Sequence, residues 1–155
     1  MANPLKMLKL KPTSFQFIQE LKINAPTKRV WDSLIDVRGW FKFDPTAKNT
    51  DRKLELWPGG RFHNESPDGT QSLYAIVTHI EPGKLLRLHG QMGNTHLPMD
   101  GVFIFELQER KPAGTLLRFC QRTFGLLDAD VAKKMKGGWG KLLPQIKEMA
   151  EKKRK

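Results

Sequence analysis

Four histidines, one cysteine and three strand arginines are the residues of this 155-residue chain with the most evident chemical capacity. His63, His79, His89 and His96 are spread over four separate strands or loops. None forms a pair at a metal-ligand spacing such as His-x3-His, so no metal site is expected. His63 and His89 flank apolar strand residues. Turned inward, either would serve as a proton carrier or as a polar anchor for a ligand; turned outward, each is an ordinary surface imidazole. Cys120 is the only cysteine, which excludes an internal disulfide and a multi-cysteine metal site. No base stands near it in the sequence, so it reads as a small buried hydrophobe rather than a nucleophile. Arg87, Arg118 and Arg122 lie in strand-like runs, where an inward arginine would meet an anionic ligand. Leu86 and Leu88 facing in would turn Arg87 out, while the direction of Arg118 stays open. Gly59-Gly60 sits in a hairpin, and Gly137-Gly138-Trp139-Gly140 lacks the lysine and hydroxyl residue that end a phosphate loop. No cofactor is expected and no catalytic residue is assigned.

The elements that position these side chains follow from periodicity. Phe15, Phe17, Leu21 and Ile23 alternate onto one face of a strand, with Gln19 as the exception. Pro26 then opens a short amphipathic helix bearing Val30, Trp31, Leu34 and Ile35. A second helical piece from Val37 to Phe41 carries Trp40 and Phe41 and breaks at Phe43-Asp44-Pro45. Lys53–Trp57 and Arg61–Glu65 flank Pro58-Gly59-Gly60 as a hairpin. Strand-like runs follow at 73–80, 85–92, 102–107 and 115–124, separated by turn signals such as Asp68-Gly69, Pro82-Gly83 and Pro112-Ala113-Gly114. Within 73–80 the face assignment is open by one residue, which swaps every inward side chain.

The chain ends in a long helix. Val131, Met135, Trp139, Leu142, Ile146 and Met149 make one apolar stripe, away from which fall Lys133, Lys134, Lys136, Lys141 and Lys147. Asp128 or Asp130 is suited to cap its start. Gly137, Gly138 and Gly140 each cost about 1 kcal/mol inside a helix, which predicts close approach to the sheet or room beside Trp139. Pro144, on the lysine side, predicts a kink.

Nine Phe, four Trp and one Tyr within 39% hydrophobic residues suffice for one core in one domain. The expected division is a basic extension over 1–12, a single domain over 13–151 and a basic tail over 152–155. No apolar run approaches the ~20 residues of a membrane span. The lysines scattered through Met1–Pro12 interrupt any secretory signal, so a cytoplasmic location is expected. The net charge of +11 resides at the two ends, the stretch 13–130 being nearly neutral. That neutral middle lacks an aromatic and basic stripe, which argues against nucleic acid as a partner.

Several segments together resemble a known family. Val30-Trp31, Trp40-Phe41, Pro58-Gly59-Gly60-Arg61-Phe62 and Pro82-Gly83-Lys84-Leu85-Leu86-Arg87-Leu88 are similar to the START-like (SRPBCC) superfamily. The closer likeness is to small single-domain members of the branch named after the activator of the heat-shock-protein-90 ATPase. Gly101–Leu107, Gly114-Thr115-Leu116-Leu117 and Gly138-Trp139 fit the same pattern in the same order. The resemblance implies an α+β helix-grip fold, in which a curved antiparallel sheet of six or seven strands wraps a long C-terminal helix. Two short helices follow the first strand.

It also implies a cavity between sheet and helix that takes apolar molecules. Its expected walls include Trp40, Phe41, Trp57, Phe62 and Tyr74. Leu88, Phe103, Phe105, Phe119 and Trp139 complete them. His63 and His89 are the candidate polar groups. The same side chains have the alternative of filling the space themselves, as protein interiors do. Three functions are weighed: a binding domain for an apolar small molecule, an enzyme of the cyclase or hydratase kind using the same cavity, and a protein-interaction or co-chaperone-like module. The enzyme requires a titratable group inside the cavity. The interaction module requires a filled interior and an exposed apolar or basic patch.

Overall fold

Alternation sets the first element. In β1 (Lys11–Ile23) the odd-numbered residues from Thr13 to Ile23 are shielded and the even-numbered ones exposed, as a strand covered on one face requires. The computed structural model describes residues 5–42 and 51–152. The expected break at Phe43-Asp44-Pro45, the start of the N-terminal extension and Lys153–Lys155 of the basic tail lie outside the described residues. β1 begins two residues ahead of the boundary expected at Thr13, because Lys11 and Pro12 already pair with Leu127 and Leu126.

After β1 come α1 (Thr27–Ile35), α2 (Val37–Trp40), β2 (Asp51–Leu54), β3 (Arg61–Glu65), β4 (Gln71–Glu81), β5 (Leu85–Gly90), β6 (Met99–Glu109), β7 (Thr115–Leu127) and α3 (Val131–Glu151). The seven strands form one antiparallel sheet in the order β1-β7-β6-β5-β4-β3-β2. β2 to β7 run as a meander, and β1 returns to lie against β7. The sheet curves around α3, and α1 and α2 pack on that helix, giving the α+β helix-grip fold. Among the described residues no helix is long and apolar enough to cross a membrane.

Register slips twice within β4. Phe62 opposes Ala75 while His63 opposes Leu73, leaving Tyr74 unmatched. Val77 opposes Leu88 while His79 opposes Arg87, leaving Thr78 unmatched. Each bulge inserts one residue and resets which parity faces inward. A strict period of two therefore cannot be carried through residues 73–80. Gly90 lies beside the first bulge. A Cβ there would stand 2.7 Å from the Tyr74 carbonyl oxygen and 2.8 Å from the Ala75 Cα, so the backbones meet only because Gly90 has no side chain.

α3 buries Met135, Trp139, Leu142, Leu143, Ile146 and Ala150 against the sheet. Helical structure continues through Pro144, which is exposed. Neither aspartate caps the helix with its side chain: the Asp128 carboxylate accepts instead from the Asp130 backbone N–H at 3.0 Å. Two of the helix glycines differ from one expectation. A Cβ on Gly137 or Gly140 would meet nothing within 4 Å, so these positions mark open space and not a close helix-to-sheet approach.

The C-terminal end of α3 is fastened from several sides. The Arg29 guanidinium donates to the carbonyls of Ala150 and Lys152, and the Asn24 N–H donates to Glu151 Oε1 at 3.2 Å. Thr115 donates its buried hydroxyl to the Ala25 carbonyl at 2.7 Å. The Trp40 indole donates to the Leu34 carbonyl at 2.9 Å, closing the end of α1. The bonds to Ala150, Lys152 and Leu34 satisfy carbonyls that a helix terminus leaves without intrahelical partners.

Glycine substitutions test this geometry. Gly140→Ala is expected to raise the unfolding free energy by about 0.5–1 kcal/mol, since it removes backbone freedom and meets no neighbour. Gly90→Ala is expected to lower it by about 1–3 kcal/mol through overpacking at the bulge. Urea denaturation of both variants checks the opposite signs.

Candidate functional site

Most of the expected cavity wall is packed upon itself. Trp40, Phe41, Phe62, Leu88, Phe103, Phe105, Phe119 and Trp139 are all buried in the core. Trp139 lies 4.3 Å from Phe119 between ring centroids, Phe41 lies 4.7 Å from Phe62, and Phe105 lies 5.0 Å from Phe119. Aromatic centroids at such separations are in direct contact. Among the described residues these side chains pack on one another between sheet and helix.

Trp57 departs from the expectation. Its side chain is 57% exposed, because β2 ends at Leu54 and its alternation does not extend to Trp57. The Gly60 N–H donates to the Trp57 carbonyl at 2.7 Å, folding this segment into a tight turn beyond the strand pair.

The two candidate histidines also lie away from the helix side of the sheet. His89 is half exposed and its Nε2 meets the Asp100 carboxylate at 2.8 Å. His63 is buried, but its parity is that of its cross-strand partners Lys53 and Leu73, both well exposed. Its Nε2 contacts Glu65 Oε1 at 3.1 Å and its Nδ1 has no hydrogen-bond partner among the described residues. A hydrogen bond from Lys53 holds the Glu65 carboxyl below the usual carboxylate range, and the His63 ring adds to the effect. Arg118 is likewise on the outer face, 3.2 Å from Glu20 and 3.8 Å from Glu106. Among the described residues, no three of His, Cys, Asp and Glu come together as a metal site.

Open space lies elsewhere, at the N-terminal half of α3. A groove of about 840 Å³ runs between that helix, the inner face of β3 and β4, and the loop after β5. Tyr74, Met92 and Met135 supply an apolar floor, with Asn64, Ser72 and Asn94 as polar groups. Gly137 and Gly138 leave the helix backbone bare, and Asp130, Lys133, Lys134 and Lys141 line the same space. Tyr74 alone of the expected wall residues lines this groove. The bulge in β4 leaves it unmatched, and its ring stacks at 4.8 Å on Phe41 and 5.0 Å on Phe62. Asn64 is oriented by accepting the Ser72 N–H at 2.6 Å. Met92 takes a positive φ of 50° where the chain turns beneath the groove, and its N–H donates to the Tyr74 carbonyl at 2.8 Å.

Behind Met135 lies a buried polar pair. The Gln121 side-chain amide donates to the Thr123 hydroxyl at 2.9 Å and touches the Met135 sulfur at 3.5 Å. Gln121 is fully buried and its Oε1 has no hydrogen-bond partner among the described residues. Sequence reasoning missed the groove residues because it placed the lysines of α3 on a purely solvated face. The available signal was the order Lys134, Gly137-Gly138, Lys141, which sets two cations about two helical turns apart around a bare stretch.

Tryptophan truncations separate core from surface. Trp139→Ala is expected to cost about 3–5 kcal/mol of stability, whereas Trp57→Ala stays within about 0.5 kcal/mol. Thermal or urea unfolding followed by circular dichroism reads both.

The fold has many relatives of known structure. An uncharacterized protein from Rhizobium leguminosarum superposes with a TM-score of 0.70 at 20% identity, over 93% of this chain and 99% of that one. A protein from Chromobacterium violaceum gives 0.67 at 20% identity, over 89% and 98%. The di-domain ARO/CYC BexL from the BE-7585A biosynthetic pathway gives 0.59 at 19% identity, over 91% of this chain and 51% of BexL. At such identities the likeness is one of fold alone. No curated protein matches the chain. The sequence model described as Activator of Hsp90 ATPase homolog 1-like protein matches residues 24–151. With most of its length so matched, from the end of β1 through α3, this chain belongs to the family of Activator of Hsp90 ATPase homolog 1-like proteins.

Proposed function

We propose that this chain is a small-molecule binding domain whose ligand lies in the groove between α3 and the β3–β4 face. The observation that carries this reading is the groove itself: about 840 Å³ with an apolar floor and a few placed polar groups. Ligand sites are clefts of roughly 300–1,000 Å³ built in this way. Gly137 and Gly138 support it too, since the helix gives up intrinsic stability there without gaining contact at Gly137.

The cyclase-like reading has less support. BexL shares the fold, but the histidines that were candidates for proton transfer lie on the far face of the sheet from the groove. Asp130 is the one carboxylate among the groove's lining residues. The interaction-module reading is favoured by the mutual packing of the aromatic wall and by an exposed apolar patch. Phe124 and Leu126 are exposed beside Pro12 and Pro98 at the sheet corner.

Native mass spectrometry of gently purified protein, followed by titration with 1-naphthol, tests the proposal. A bound species or saturable quenching of tryptophan fluorescence is expected. Gly137→Phe, which directs a ring into the open space, is expected to weaken 1-naphthol binding at least about tenfold without lowering the thermal midpoint. Equal affinity in the two proteins would place the ligand elsewhere. Failure of 1-naphthol and of a panel of apolar compounds to bind at all would favour the interaction module.

A further inference from the structure

We propose that the groove selects an amphiphile with a single anionic head. Lys134 and Lys141 hold the head, and the apolar body lies against Tyr74, Met92 and Met135. This rests on the groove reading above and adds the chemical class of its ligand.

Besides Val131, Lys133 and Met135, the groove is lined by Asp130, just ahead of α3, and by Lys134, Gly137, Gly138 and Lys141. The last four share one stripe at helical spacing, adjacent to the buried stripe of Met135, Trp139 and Leu142. Seven residues at 1.5 Å each separate Lys134 and Lys141 by about 10 Å along the axis. The side chains that would stand between them are those of two glycines, so a head group of carboxylate size can approach the helix with an ammonium on either side.

The charge is unbalanced locally. Lys28, Lys53 and Lys147 each lie within ion-pair distance of a carboxylate. No ion pair among the described residues engages Lys133, Lys134 or Lys141, although all three line the groove. Asp130 offsets one of the three cations, which leaves the rim positive above an apolar floor. An anion with an apolar tail complements both features at once, and charged hydrogen bonds from lysine to carboxylate exceed neutral ones in strength.

Octanoate and octan-1-ol have chains of equal length and differ in charge. Calorimetric titration at low salt is expected to show octanoate binding at least about tenfold more tightly. In about 1 M salt, where the Debye length falls to ~3 Å, that preference should shrink several-fold. Lys134→Gln/Lys141→Gln is expected to abolish the preference while octanol affinity holds. A control double variant, Lys22→Gln/Lys28→Gln, lowers net charge equally near the fastened end of α3 and should keep the preference. Equal binding of the two probes by the unaltered protein would overturn the anionic-head proposal and leave the groove as a binding site. Loss of preference in both double variants would assign it to overall charge and also overturn the proposal. Binding of neither probe where 1-naphthol still binds would overturn this inference and leave the groove reading standing, whereas failure of 1-naphthol as well would overturn both.

Discussion

Trp139 against the curved sheet is the contact on which the rest of the domain is built. Its indole meets Phe119 at 4.3 Å, Phe103 at 5.9 Å, Phe105 at 6.0 Å and Trp40 at 6.3 Å. Those rings come from β7, β6 and α2, so a single side chain of α3 joins the sheet to the short helices. An aromatic ring buries 150–250 Å² and prefers tilted or edge contacts over face-to-face stacking, and every ring pair here is tilted or edge-on. The helix cannot slide or rotate without undoing several such contacts together. Fixing Trp139 therefore fixes which face of α3 turns to the sheet, and with it the stripe of Lys134, Gly137, Gly138 and Lys141 that borders the groove.

From that contact the molecule divides into two unlike ends. Toward the C-terminus of α3, hydrogen bonds from Arg29 and Asn24 bind the helix to the segment around α1. Toward its N-terminus, Val131 and Met135 face a groove bounded by the bulged strand β4 and the loop after β5. Binding sites need adaptable walls on a rigid frame, and this arrangement keeps the two apart. The proposed ligand would touch the buried core through Tyr74, Met92 and Met135, and the Tyr74 ring has the groove on one side and Phe41 and Phe62 on the other.

Much of the architecture was readable in the residue pattern, because it rests on periods that survive averaging. Alternation from Phe15 to Ile23, the turn glycines and the apolar stripe of the last helix all reappear in the structure. The site was less readable, for three physical reasons. Large aromatics serve equally as core and as cavity wall, and only their mutual distances decide between the two. The bulges at Tyr74 and Thr78 break the parity on which facing depends, so the one wall residue at the groove could not be told from its neighbours. Lysines off the apolar stripe of a helix are solvated in most settings, and their position over a groove emerges only once the sheet's curvature is in place. Trp57 lies beyond the end of its strand and His89 on the outer face of its own, and the sequence leaves the direction of the histidine open.

The pairing of β1 with β7 bears on how the chain reaches this state. Ile23 meets Thr115, and Lys11 meets Leu127, so the first strand finds its partner only after the whole meander has been laid down. Pairings between such distant segments are entropically slow to nucleate, and they dominate the folding rate of β-rich domains. Until β7 arrives, β1 is a thirteen-residue amphipathic segment without a neighbour. Its exposed face carries Lys22, Glu20 and Gln16, and Pro12 stands near its start, features that discourage a free strand from pairing with another copy of itself. The edge residues of β1 thus protect the chain during the interval before folding is complete, apart from anything they contribute afterward.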